Sequence, residues 1–168
     1  GIFKVREFEQ AFAERFKISH AQAVSSGSAA IKVGLDALGV GRGDEVITQA
    51  HTFVATIEAI LLTGATPVIV DVDASLNMCP KALEVAITPK TKAVVPVHMM
   101  GVAADMDPIM KVASAHGIKV MEDNAQGTGG SVTVSAGTSG AGDGGSVFVK
   151  AGDSDEAGGA VTLTSGSR

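Results

Sequence analysis

With 168 residues, a formal charge of −5 and 45% hydrophobic residues, the chain can bury one substantial core, or two where composition changes along it. The charge comes without a basic cluster, which argues against nucleic-acid binding. No apolar run reaches bilayer length and the first residues lack the charged-then-apolar order of a secretory leader, so a soluble protein without membrane attachment is expected. The lone Cys79 cannot form an internal disulfide and fits a reducing, cytoplasmic compartment. Starting on Gly and entering a helical pattern within a few residues, the chain reads as lacking the true start of its gene product.

Composition divides the chain. Residues 129–168 hold 11 of the 21 glycines and no Pro, His, Met or Ile, whereas 1–128 hold all six Met and all five Pro. Two domains follow, 1–128 and 129–168.

In the first part, "KVREFEQAFAERF" spaces Val5, Phe8, Phe12 and Phe16 along one stripe, which predicts an amphipathic helix. The short run "AQAV" reads as a strand leading into "SSGSAAIKVGLDALG", a helix with Ile31, Leu35 and Leu38 on one face and Gly39 as its left-handed stop. "DEVITQ" predicts a strand and "FVATIEAILLTG" a helix closed by Gly64. The uninterrupted "TPVIVDV" predicts a strand buried on both faces. A short helix at "CPKALEVAI" leads to a strand at "KAVVPVH". In "DPIMKVASAHG", Asp107 is placed to cap, Pro108 to occupy the first helical position and Gly117 to end the helix. "IKVMED" closes the series as a strand. Such alternation predicts a three-layer αβα domain around a mostly parallel sheet.

Ligands of open parallel sheets sit beyond the carboxyl ends of the strands. Four turns bring polar or aromatic groups there: Ser25 to Ser28, His51 to Phe53, His98, and Glu122 to Gln126. "SSGSAA" would present the amides of Gly27, Ser28 and Ala29 at a helix N-terminus, suited either to a phosphate or to plain capping. Asp123 could accept a hydrogen bond from a protonated ring nitrogen or cap the next turn. Phe53 could lie against an aromatic ligand or belong to the core. His51 and His98 lack metal-site spacing and are at most pocket lining, and Cys79 has no partner for nucleophilic chemistry.

Together, "FEQAFAERF", "AVSSGSAAIKVGLDALGVGRGDEVITQAHTFVATIEAILLTGATPVIVDVD", "VVPVHMMG" and "HGIKVMEDNAQGTGGS" resemble the DegT-type aminotransferases over about residues 4–131. These are pyridoxal 5'-phosphate enzymes of fold type I that mostly aminate keto sugars carried on nucleotides. The resemblance implies cofactor-phosphate contacts at Gly27, Ser28 and Ala29 and a ring-stacking role for Phe53. It places Asp123 at the pyridine nitrogen and Gln126 near the phenolic oxygen. It further implies a nucleotide-sugar substrate, an amino-acid donor and a homodimer.

Past "GGS" the family pattern gives way to "GGSVTVSAGTSGA", "GGSVFVKAGDSDEA" and "GGAVTLTSGSR". Glycine pairs begin at 129, 144 and 158, and each unit carries an alternating stretch, "SVTVS", "SVFVK" or "AVTLT". A glycine-rich β repeat is expected, either a solenoid or stacked hairpins. Lys150 alone follows Lys119, so it is the only candidate for the lysine that attaches the cofactor, although its position in the repeat matches Ser135 and Thr164. The competing readings are a non-catalytic α/β scaffold fused to an association segment, and a nucleotide-binding domain. Against the latter, no G-x-G-x-x-G follows the first strand.

Overall fold

Glu45–Gln49 forms β1, buried at four of its five positions because it has a strand on each side and helices over both faces. The computed structural model describes residues 2–127 and the short strands 133–134 and 162–163. Before β1 come helices α1 (Ile2–Phe16) and α2 (Gly27–Ala37). After it come α3 (Val54–Leu62), β2 (Thr66–Val70), α4 (Pro80–Ala86) and β3 (Thr91–Val95). A single 3-10 turn at Met99–Gly101, then α5 (Met106–His116) and β4 (Lys119–Val120), complete this unit.

The four strands pair in parallel in the order β2-β1-β3-β4. Successive residues of β1 therefore point to opposite faces, and two cores result. Val46 packs with Ala93 and Val95 beneath Ile31 and Leu35 of α2 and Ala59 and Ile60 of α3. Ile47 packs with Val94 and Val120 beneath Leu83 of α4 and Ile109 and Ala113 of α5. Leu35, Ile47 and Ile60 are fully buried, each contributing roughly 1.5–3 kcal/mol by burial. The domain is thus a three-layer α/β fold, as the alternation predicts.

Several local expectations are corrected. "AQAV" forms no strand; the Ala23 amide and the Gln22 side chain instead donate to Glu9 Oε1, tying this segment to α1. β2 is an edge strand and Ile69 stands 53% exposed, so it is not covered on both faces. In α1, Phe12 packs on the core while Val5 and Phe8 are exposed. The residue preceding α5 is Asp105, with no side-chain capping bond, which puts Asp107 and Pro108 inside the first turn.

Three helix stops hold as expected. Gly39, Gly64 and Gly117 have φ of 76°, 85° and 66°, the left-handed region that L side chains disfavour. At Gly117 an added Cβ would meet nothing within 4 Å, so its cost is purely conformational. Gly117→Ala is expected to lose roughly 1–2 kcal/mol, read as a lower urea midpoint with an unchanged slope.

Thr133–Val134 (β5) and Thr162–Leu163 (β6) pair in parallel, Thr133 opposite Thr162. These are the same positions of the first and third glycine-rich units.

Candidate functional site

The strand order reverses between β1 and β3: β1 continues through α3 to β2 on one side, while β3 continues through α5 to β4 on the other. Chain ends diverge at such a point and leave a crevice beyond the carboxyl ends of the strands. A cleft of about 210 Å³ opens at this edge. Its walls are the starts of α2, with Gly27 and Ser28, and of α3, with Phe53 and Thr56, and its floor is Met121 to Asp123 where the chain leaves β4.

The α2 wall is set by Ser26. Its extended backbone stops the helix, and its Oγ accepts the Ala29 amide at 3.1 Å. Gly27 and Ser28 occupy the first two helical positions, whose amides have no intrahelical acceptor. Ala29 does not share this freedom: its amide is committed to Ser26 and it does not line the cleft. The end of the helix whose dipole favours an anion therefore presents two amides to the cleft rather than three.

Phe53 immediately precedes α3, 65% exposed along the cleft wall. One turn on, the buried Thr56 hydroxyl donates to Asp123 Oδ2 at 2.7 Å and lies 2.9 Å from the Thr52 hydroxyl. The second carboxylate oxygen of Asp123 accepts the Ala125 amide at 3.1 Å. The Asp123 main chain is fixed as well: its N–H donates to Pro96 O at 2.8 Å and its carbonyl accepts the His98 amide at 3.0 Å. Asp123 is only 5% exposed, so these bonds keep a buried carboxylate hydrogen-bonded, as its burial requires.

Glu122 also borders the cleft, and its Oε2 lies 2.9 Å from His98 Nε2. The Ala104 amide donates to His98 Nδ1 at 3.0 Å. In the neutral ring the proton is then at Nε2, donating to Glu122. His98 is buried and outside the lining, so it supports the floor rather than facing a ligand. His51 likewise turns away, donating from Nδ1 to Leu76 O at 3.0 Å. Gln126 is exposed, off the lining, with Oε1 accepting the Met100 amide at 2.9 Å. Nearby, the Ser75 hydroxyl and then its amide donate to Asp73, holding that exposed carboxyl below its usual range.

Gly27, Ser28, Phe53 and Asp123 thus meet at one cleft, while Ala29 and Gln126 stand beside it and Lys150 lies outside the described residues. Sequence reasoning passed over Thr56 and Gln49. Gln49 is fully buried; its Oε1 accepts the Met78 and Val97 amides at 3.0 and 3.1 Å, and its Nε2 donates to His51 O at 2.9 Å. A polar residue closing the strand run "EVIT" was the available signal. For Thr56 the signal was two threonines four apart at a helix start below a strand end. Among the described residues no His, Cys, Asp and Glu cluster could hold a metal, and no helix is long and apolar enough to cross a membrane.

Fold and cleft define an α/β protein with an anion-attracting helix end, an exposed aromatic ring and a buried carboxylate facing one space. The chain belongs to the DegT/DnrJ/EryC1/StrS aminotransferase family, whose profile matches residues 3–150, further than the motif resemblance reaches and as far as Lys150. Aminotransferases of this family depend on pyridoxal phosphate. The chain is 52% identical over 123 residues to the spore coat polysaccharide biosynthesis protein SpsC of Bacillus subtilis, covering 73% of this chain and 32% of that protein. It thus spans about a third of the length of this relative. Among solved structures it is similar to 3-amino-5-hydroxybenzoic acid synthase (TM-score 0.71, 42% identity, covering 73% of this chain and 32% of that one). An aminotransferase from Psychrobacter cryohalolentis gives 0.71 and 44%, covering 74% and 32%. NtdA from Bacillus subtilis, with bound cofactor PMP, gives 0.72 and 40%, covering 74% and 29%.

Proposed function

We propose that this chain carries the cofactor-binding half of a pyridoxal-phosphate-dependent aminotransferase acting on nucleotide-linked keto sugars, with an amino acid as donor. The observation that supports this reading above the others is the convergence of the Gly27 and Ser28 amides, the Phe53 ring and the Asp123 carboxylate on one cleft. A phosphate, an aromatic face and a ring nitrogen have their complements there in one place. Family membership and the PMP carried by NtdA point the same way.

When bound, pyridoxal phosphate supplies the electron sink for breaking a carbon–hydrogen bond. The chain supplies the rest. The first-turn amides of α2 bind the phosphate, with Ala29 behind them as the capped residue that fixes the turn. Phe53 covers one ring face. Asp123 accepts a hydrogen bond from the ring nitrogen and keeps it protonated, because a carboxylate beside a cation favours the charged form. Among the described residues Gln126 engages its Oε1 alone, and its Nε2 is the group proposed to donate to a phenolic oxygen. Lys150 is the residue assigned to cofactor attachment and proton transfer, supported by the family profile extending to it and by its being the only lysine after Lys119.

The same reading divides the chain into an aminotransferase portion, 1–128, and a glycine-rich β segment, 129–168, which apart from residues 133–134 and 162–163 lies outside the described residues. It places the protein in the cytoplasm, where the free thiol of Cys79 is at home, and pairs two copies as a homodimer. A second reading, an α/β scaffold joined to an association segment, draws on the parallel pairing of β5 with β6 in the register of the repeat. It predicts self-association that disappears when residues 131–168 are removed, with no cofactor binding.

Titration of the full chain with pyridoxal 5'-phosphate and with phosphate-free pyridoxal tests the first reading. Saturable binding, at least about tenfold tighter with the phosphate, is expected from charge-assisted bonds at the α2 terminus. Borohydride reduction followed by peptide mass spectrometry should place the adduct on Lys150 and lose it in Lys150→Ala. No saturable binding would refute the reading, and an adduct on another lysine would remove Lys150 from its role.

A further inference from the structure

We infer that Thr56, backed by Thr52, is the positioning residue that orients the Asp123 carboxylate toward the cleft. The inference rests on the cofactor reading of the cleft, although the hydrogen-bond chain itself does not. An ionised carboxylate only accepts, so the single Thr56 hydroxyl proton is committed to Asp123 Oδ2 at 2.7 Å. The Thr52 hydroxyl stands 2.9 Å from Thr56 Oγ1 and 3.3 Å from Phe53 O. With the Thr56 proton already used, the shorter contact runs from Thr52 to Thr56. The chain is directional, Thr52 to Thr56 to Asp123, and each donation polarises the next.

Its geometry links two parts of the cleft that lie 67 residues apart. Thr52 and Thr56 bracket Phe53 in sequence, and the Thr56 amide donates to Phe53 O at 3.1 Å. One helical turn therefore carries both the exposed ring and the hydroxyl that grips the carboxylate. Thr56 holds Oδ2 while the Ala125 amide holds Oδ1. The carboxylate plane is clamped from both sides, and its remaining acceptor sites stay available to the cleft. A loosely held carboxylate would meet a ring nitrogen in many orientations and lose affinity by the cost of ordering.

The test uses the full chain, with hydrogen exchange read amide by amide before any cofactor is added. In Thr56→Val, protection of the Ala125 amide is expected to fall about tenfold, the size of one charge-assisted bond, with the β1 amides unchanged. Thr56→Ser should restore it to within about threefold. Pyridoxal 5'-phosphate affinity should follow, weakened about tenfold in the valine variant and recovered in the serine variant. Unchanged Ala125 protection in a folded Thr56→Val protein, or failure of serine to restore it, overturns the inference. If Ala125 responds while even the parent chain binds no cofactor, the clamp on Asp123 stands and the cofactor reading falls. Should Thr56→Val not fold, Thr52→Val decides: it leaves the Thr56 donor in place, an Ala125 loss of about threefold supports the relay, and no loss overturns it.

Discussion

Asp123→Asn is expected to fold as the parent does and to bind pyridoxal 5'-phosphate roughly 10- to 100-fold more weakly, the worth of one charge-assisted hydrogen bond. The two halves of that expectation have separate causes. Stability is kept because the hydroxyl chain can reverse. An asparagine that presents its Oδ1 to the Ala125 amide turns its Nδ2 toward Thr56, whose hydroxyl then donates to Thr52, and Thr52 in turn donates to Phe53 O, 3.3 Å away. Every polar group retains a partner, so the change in folding free energy stays within about 1 kcal/mol. Affinity is lost because the amide carries no negative charge to favour a protonated ring nitrogen. Melting curves beside cofactor titrations check both halves. Equal affinities for the two proteins would remove Asp123 as the partner of the ring.

Asp123 was legible in the sequence because "ED" follows an apolar strand and local order alone puts it beyond the sheet edge. The helix stops at Gly39, Gly64 and Gly117 were legible for the same reason, since a left-handed residue ends a helix whatever surrounds it. Failures came where an outcome depends on distant residues. The run "TPVIVDV" has the composition of a doubly covered strand, but strand order decides burial, and β2 ended at the edge with Ile69 exposed. "AQAV" found a hydrogen-bonding partner in Glu9 of α1 rather than in the sheet. Ser26 was missed for a local reason instead: either Ser25 or Ser26 before Gly27 could cap the helix, and Ser26 took the Ala29 amide. Thr56 left only its spacing from Thr52 at a helix start as a signal, because nothing within "FVATIEA" shows a bond to a carboxylate 67 positions later.

Gln49→Leu is expected to destabilise the scaffold strongly. Leucine has similar bulk but leaves the Met78 and Val97 amides and the His51 carbonyl without their partner. Each buried group stranded in this way costs about 1–3 kcal/mol. With the His51 carbonyl partly wetted and leucine gaining some apolar burial, the net loss is roughly 3–6 kcal/mol. That is a large share of the 5–15 kcal/mol typical of a domain. At a pH low enough to keep its carboxyl protonated, Gln49→Glu should cost less, because one oxygen can still accept both amides and the hydroxyl can donate to His51 O. Ionised, it would bury a charge facing that carbonyl. The damage should also be directional. Val97 bridges to Asp123, the Asp123 amide donates to Pro96 O, and the His98 amide donates to Asp123 O. Losing the Val97 anchor therefore loosens the floor of the cleft before the helices. At that low pH urea midpoints should fall in the order parent, Gln49→Glu, Gln49→Leu, and exchange at His98 and Asp123 should rise before exchange in α2. A leucine variant as stable as the parent would mean that water replaces Gln49 at all three groups, and the switch point between β1 and β3 would then not depend on this side chain.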